Sequence, residues 1–506
     1  MTHRAVLELA WRWSALVRQR GVRPGDRVIV LLPTGPDFVG ALLGVMLAGA
    51  IAVPLAGPMT FGSAERYVRN LASIVEDCGA TCIASDRRML DAVASDARLR
   101  AALTTSITAI DLDISSAIHA RGATSIDGQR TAMLQYTSGT TGRPKGVELT
   151  HRALVSNAFA IAHALSLSER DVGVSWLPLF HDMGLIGALL TSLCHPYALH
   201  VLPPEAFVMR PARWLELLTD KRATLSAAPN FAYELCVQKA ADREGLDLSS
   251  LRCALNGAEP VLPTTLRRFD ERFAQHRWTP RAMTPVYGLA ENTLATAFSA
   301  VHEAPSVRRF DDREAVSCGG PVAATRIAIA DERGRTLREG HIGRVRVASP
   351  SLMKGYFRNE RATERALDGE WLDTGDLGVI DAGALYIVGR ARDVIIKGGR
   401  NIHPYDVERV ASDVTGVRPG SVAAFARSNV ETGTDDLVIV IETTERDDGE
   451  RARIAREVRG EVLSALGVKA DDVRCWSAGS IPRTTSGKIQ RHACAQRLAE
   501  RGASES

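Results

Sequence analysis

The chain alternates short apolar runs with longer helical patterns for most of its length. Val28–Leu32 reads as a strand, and Pro33 and Gly35 close it. An uncharged stretch from Phe38 to Gly57 follows, long enough for a membrane helix by length alone. Gly40, Gly44 and Gly49 interrupt it and Pro54 would break its last turn, so it divides into a buried helix to about Leu47 and a buried strand over Ala50–Pro54. Thr81–Ser85, Ala132–Tyr136, Val172–Trp176 and His200–Leu202 are further short strands. An apolar helix over Leu185–Leu193 lies between the last two, and Thr150 is placed to cap a helix starting at His151. This rhythm predicts α/β layers built on parallel strands.

Beyond Arg326 the pattern changes to strand–turn–strand up to Ser349, with the turn at Asp331 to Gly334, which predicts a small, mostly β subdomain. Tyr386–Val388 is a strand that runs into Gly389-Arg390-Ala391-Arg392-Asp393. After it come a strand at Val394–Lys397, a helix near Tyr405–Asp413, a strand at Leu437–Glu442 and a helix at Arg451–Leu466. These form a compact α+β unit of about 110 residues, an ordinary size for a small domain. The expected division is a large domain over 1–389, a hinge at 390–393 and a small mobile domain over 394–506.

Composition narrows the class. The 506 residues suffice for two to four domains, and 45% hydrophobic with 24% charged residues is the balance of a soluble globular enzyme. A net charge of +3 argues neither for nor against nucleic acid or a membrane surface; no nucleic-acid partner and no stable membrane span are expected. The eight cysteines are scattered without zinc-ligand spacing, which fits isolated thiols in a reducing cytoplasm. The N-terminus has no signal-peptide core, and a cytoplasmic location is expected.

The sharpest motif is Tyr136-Thr137-Ser138-Gly139-Thr140-Thr141-Gly142-Arg143-Pro144-Lys145-Gly146. Seven of its eleven residues are Gly, Ser or Thr. Such a loop offers backbone N–H groups and hydroxyls to a polyphosphate, and Lys145 adds a compact charge. Pro144 before the lysine departs from the Walker pattern. The bland alternative, a flexible linker, fits poorly between an apolar run and a helical one.

The loop resembles the phosphate loop of the adenylate-forming superfamily of acyl-CoA synthetases, fatty acyl-AMP ligases, adenylation domains and luciferases. Further motifs match in chain order. They are Asn256-Gly257-Ala258-Glu259-Pro260, Tyr287-Gly288-Leu289-Ala290-Glu291-Asn292, Trp371-Leu-Asp373-Thr-Gly-Asp376, Gly389-Arg390, and Ile481-Pro-Arg-Thr-Thr-Ser-Gly487-Lys488. The resemblance implies that Gly257, Ala258 and Glu259 lie against a planar base, that Tyr287 with Gly288 stacks on adenine, and that Asp376 and Arg390 hold the ribose. Glu291 and Thr140 would ligate Mg²⁺, an oxygen-seeking cation. Asn292 stands where relatives carry a small or hydroxylated residue near the α-phosphate. Lys145, Glu291 and Lys488 would be catalytic, with Lys488 meeting charge that builds at the α-phosphate and the carboxylate. Arg392 occupies the hinge position.

Four segments look like fatty acyl-AMP ligases in particular: Trp176 to Gly187, Ala228 to Cys236, Asn256 to Pro260, and Val316 to Gly320. By that resemblance His181, Met183, Gly184, Asn230, Phe231 and Tyr233 line an acyl tunnel, against the plain alternative of core packing for the aromatics. The implied reaction uses ATP and Mg²⁺ to turn a fatty or related carboxylic acid into acyl-AMP. The acyl group then passes to the phosphopantetheine thiol of an acyl carrier protein acting in trans, or alternatively to coenzyme A. The stretch from Glu291 to Cys318 is too short for the full insertion those ligases carry. A nucleotide-binding protein without ligase activity and a luciferase-like oxygenase are the competing classes.

Overall fold

The computed structural model describes residues 1–57, 64–93, 96, 99, 106–108, 126–137, 144–310, 313–397, 400–429, 434–484 and 488–504. The first sheet runs, edge to edge, Gly355–Tyr356, Lys145–Thr150, Thr131–Thr137, Ile51–Pro54, Arg27–Leu31, Cys82–Ser85. Its four inner and far strands pair parallel. Lys145–Thr150 returns antiparallel against Thr131–Thr137. The second sheet has seven strands. Five are parallel, from Met283–Gly288 to Ala198–Val201, and Ala295–Phe298 and Gly320–Pro321 close the other edge antiparallel. The expected parallel layering thus holds at the sheet centres, while hairpins make the edges antiparallel.

The stretch read as a buried helix and strand is Pro36–Leu47 and Ile51–Pro54. Two of the three glycines that argue against a membrane helix, Gly40 and Gly44, have a packing cause. A Cβ on Gly44 would lie 2.4 Å from that of Trp13, and one on Gly40 would lie 2.5 Å from Leu9 Cγ. They let the helix His3–Gln19 lie against Pro36–Leu47, with Trp13 wholly buried between them. Among the described residues no helix is long and apolar enough to cross a membrane.

The β subdomain is a five-stranded antiparallel sheet that includes Arg326–Ala330, Gly343–Ala348, Trp371–Asp381 and Ala384–Arg390. Past it the chain forms a separate core. Ile395, Val407, Val422, Ile439, Ile454 and Val473 pack together, and Phe425, Val438, Trp476 and Cys494 form a second cluster behind them. The strands Val422–Asn429 and Asp472–Ser477 flank Thr434–Thr443, antiparallel and parallel respectively. Both flanking strands, the helix Arg491–Ser504 and the hairpin Val307–Phe310/Arg313–Val316 have no counterpart among the elements read from the sequence pattern.

Candidate active site

One cleft of about 2970 Å³ runs between the two sheets, the β subdomain and the C-terminal core. At one end the strand Met283–Gly288 presents Tyr287, and the tight turn Ala290–Asn292 presents Glu291. A side chain could not replace Gly288 there, because a Cβ would lie 2.0 Å from the Leu294 carbonyl oxygen. Tyr287 Oη donates to Asp376 Oδ2 at 2.6 Å, and Arg390 Nε donates to Asp376 Oδ1 at 2.9 Å. Asp376 and Arg390 face each other across neighbouring strands, which fixes that pair. The carboxylate is buried, and two of its roughly four lone-pair positions remain for hydroxyl donors such as those of a ribose. Burial, and then the Asp376 charge, push the Tyr287 phenol well up, so it stays a donor.

Lys145 opens the strand that leaves the glycine-rich loop, and its ammonium sits 4.8 Å from the centre of the Tyr356 ring. Burial, and then the neighbouring Arg392 charge, lower its pKa, while Glu291 opposes the shift. Tyr356 Oη donates to Glu291 Oε1 at 2.7 Å. Among the described residues no group of three or more His, Cys, Asp or Glu could cage a metal. A single carboxylate, Glu291, in the same cleft as the Lys145 ammonium fits a hard cation such as Mg²⁺ only if a bound ligand supplied most of its other oxygens. Ser138, Gly139, Thr140, Thr141 and Gly142 lie outside the described residues; Thr137 lines the cleft.

The middle of the cleft collects charge. His181 Nδ1 is 2.6 Å from Asp182 Oδ1, and the Phe231 amide donates to Glu259 Oε1 at 2.5 Å. Lys488 reaches this point from the C-terminal core, where its amide bonds the Thr484 hydroxyl at 3.0 Å. Burial works against the Asp182 charge, but His181 and Lys488 outweigh it and hold the carboxyl below its usual range. Burial raises Glu259, opposed by the Phe231 amide, Lys488 and Arg483. Ala258, Asn230 and Met183 line the same region. Apolar side chains, among them Trp176, Phe231, Leu199, Leu225 and Leu235, also line the cleft.

Four expected site residues do not reach the cleft. Tyr233 is 1% exposed, bonds the Leu255 carbonyl at 2.9 Å and packs edge-on between Trp214 and Phe269, so it belongs to the core. Asn292 turns inward, where its amide donates to Ala295 O and Thr296 Oγ1 at 2.9 and 3.0 Å. Gly184 is packed on the Pro178 carbonyl, 2.3 Å from where a Cβ would be, and Gly257 rests on Val286. Gly184 lies in a π-helix, Met183–Leu190, which with the α-helix Thr191–Cys194 takes the place of the apolar helix expected over Leu185–Leu193; the Thr191 hydroxyl donates to Ile186 O at 2.8 Å. Asp182 and Tyr356 are site residues that sequence reasoning missed. Asp182 sits within a quoted motif next to His181, which was a usable signal, whereas Tyr356 belongs to no quoted motif.

The model of the AMP-binding enzyme family matches residues 1–357. A 4-hydroxyphenylalkanoate adenylyltransferase of Mycobacterium tuberculosis is 35% identical over 521 aligned residues, covering 94% of this chain and 82% of the relative. A long-chain-fatty-acid–AMP ligase of Mycolicibacterium smegmatis, FadD32, is 34% identical, with 94% and 85% covered. A structure from a study of fatty acyl-adenylate ligases of E. coli and L. pneumophila superposes with a TM-score of 0.88 at 32% identity, covering 100% of this chain and 93% of that one. The L. pneumophila ligase in complex with acyl adenylate and pyrophosphate gives 0.74 at 30%, with 99% and 91% covered. With Lys145, the carboxylates and Lys488 gathered in one cleft, the chain belongs to the AMP-binding enzyme family of adenylate-forming ligases.

Proposed function

We propose that the protein activates a fatty or related carboxylic acid with ATP, releasing pyrophosphate and forming acyl-AMP, and then passes the acyl group to the phosphopantetheine thiol of a carrier protein. The observation that carries this reading is the continuity of the cleft. One cleft is lined both by Lys145, Glu291, Asp376 and Arg390, groups suited to a nucleoside triphosphate, and by apolar side chains including Trp176, Phe231 and Leu235, with Lys488 close to Asp182 and Glu259. The names of the relatives supply the acid class: long-chain fatty acids for one and 4-hydroxyphenylalkanoates for another.

In this reading Asp376 accepts the ribose hydroxyls while Arg390 and Tyr287 hold its carboxylate still. Lys145 neutralises the outer phosphates. Mg²⁺ bound by Glu291 and phosphate oxygens would add further charge neutralisation to the departing pyrophosphate. Lys488 holds the acid carboxylate in line with the α-phosphorus, a task of positioning and electrostatics. The carboxylate oxygen forms a bond to phosphorus as the bond to the β-phosphate oxygen breaks. In the second step a thiol attacks the acyl carbon, AMP leaves, and the thiol proton passes to solvent. The 390–393 segment acts as the hinge between a large domain, 1–389, and a small one, 394–506; separate apolar cores on either side support this division. Eight free cysteines are in keeping with a cytoplasmic location.

Product analysis by mass spectrometry tests the reading. The protein would receive ATP, Mg²⁺ and a panel of fatty and aryl-alkanoic acids, with either CoA or a phosphopantetheinylated carrier. Acyl-AMP that accumulates with CoA and is consumed by the carrier is the expected result. Efficient acyl-CoA formation would make the protein a CoA synthetase, and no acyl-AMP from any acid would overturn the reading.

A further inference from the structure

We propose that Tyr356 is a positioning residue that ties the two halves of the phosphate end together, its hydroxyl orienting the Glu291 carboxylate and its ring seating the Lys145 ammonium. Glu291 and Lys145 come from different sheets, so nothing local to either motif sets the distance between them. The segment 353–357 does. The Met353 amide donates to the Glu291 carbonyl at 2.8 Å, and the Phe357 amide donates to the Gly146 carbonyl at 2.8 Å. Between these staples Gly355–Tyr356 pairs antiparallel with Val147 and Glu148, just past Lys145. Lys354 closes the outer side with an ion pair to Glu148 at 3.0 Å. The Tyr356 amide is held in turn by Thr363 Oγ1 at 2.9 Å. The side chain therefore projects from a backbone fixed to both motifs, with its hydroxyl 2.7 Å from Glu291 and its ring 4.8 Å from Lys145.

The chemistry follows from that placement. A carboxylate that accepts one hydrogen bond keeps lone pairs for a cation and loses its freedom to rotate, and such supporting donors tune metal affinity. The ring face attracts the ammonium without neutralising it, leaving its N–H groups for phosphate oxygens.

The inference rests on Glu291 as the metal ligand and Lys145 as a phosphate contact. Three variants separate the parts: Tyr356→Phe, Tyr356→Leu and, as reference, Glu291→Gln. Mn²⁺ binding would be followed by electron paramagnetic resonance with a non-hydrolysable ATP analogue present, and metal-free analogue binding by calorimetry. Tyr356→Phe is expected to weaken Mn²⁺ binding by about 10- to 100-fold while leaving metal-free nucleotide affinity unchanged, because the ring stays. Tyr356→Leu is expected to weaken both. Wild-type Mn²⁺ binding by Tyr356→Phe, with binding lost in Glu291→Gln, would overturn the role of the hydroxyl alone. Equal losses of metal and metal-free nucleotide binding in Tyr356→Phe would mark the residue as merely structural and also overturn it. Wild-type Mn²⁺ binding by Glu291→Gln would remove the metal reading itself and this inference with it.

Discussion

Carboxylates of similar sequence appearance take different roles here according to what faces them. Asp376 is held by Tyr287 and Arg390 at the cleft wall. Asp171 is a structural counterpart: Arg252 grips both its oxygens, at 2.9 and 3.0 Å, and Thr224 and the Ser168 amide bond it as well. Burial disfavours the Asp171 charge, but these donors outweigh it and hold the carboxyl below its usual range. A folded-state pKa below the unfolded value means the stabilisation is fully present above about pH 4 and is lost as pH falls through the folded value. Asp171→Asn should therefore lower stability by about 3–5 kcal/mol at neutral pH, measured by denaturant unfolding, with the gap to wild type closing in acid. A constant gap would show that the charge is not what matters. Residues that sit in contiguous motifs, such as Lys145, Tyr287, Glu291, Asp376 and Lys488, could be singled out from the sequence, and all five line the cleft. Tyr233 could not be placed, because the sequence does not say which side of the helix Asn230–Lys239 meets the channel and which meets Phe269.

Short elements at this site owe their form to what packs on them. The helix Pro36–Leu47 was readable from its apolar run, yet its partner His3–Gln19 was not, because that helix carries many charges outside the buried stripe around Trp13. Their close approach at Gly44 gives a test. Gly44→Val should destabilise the protein by about 1–3 kcal/mol, seen as a lower unfolding midpoint, since Trp13 and the backbone of Ala10 have no room to yield. An unchanged midpoint would mean the helix pair adjusts freely. The two-residue strand Gly355–Tyr356 shows the opposite limit of legibility. It is too short for any pattern, and its meaning comes wholly from pairing with a strand far away in sequence.

For the whole molecule, the question is how the C-terminal core delivers Lys488. The strand Ala384–Arg390 leads straight into the turn that joins the cores. There Asp393 is bound by Arg491 at 2.6 Å, and Arg491 also grips Glu408 at 2.6 and 2.7 Å, so the turn is tied to the C-terminal core rather than to the large one. That arrangement suits rotation about the residues just before Asp393. Arg392→Pro should spare acyl-AMP formation and block transfer to the thiol, read by separate half-reaction assays. Normal transfer would place the pivot elsewhere. The change in pattern past Arg390 points to a further unit, but the strands Val422–Asn429 and Asp472–Ser477 could not be read within it, because one contains a polar stretch and the other only a few apolar residues. The measurement that bears most directly on the whole account is exchange of labelled pyrophosphate into ATP, with and without a fatty or aryl-alkanoic acid, in wild type and Lys488→Ala. The account predicts acid-dependent exchange in wild type and a loss on the order of 100-fold or more in the variant, which should still transfer acyl groups from supplied acyl-AMP. Exchange that needs no acid, or that survives unchanged in a folded Lys488→Ala protein, would contradict it.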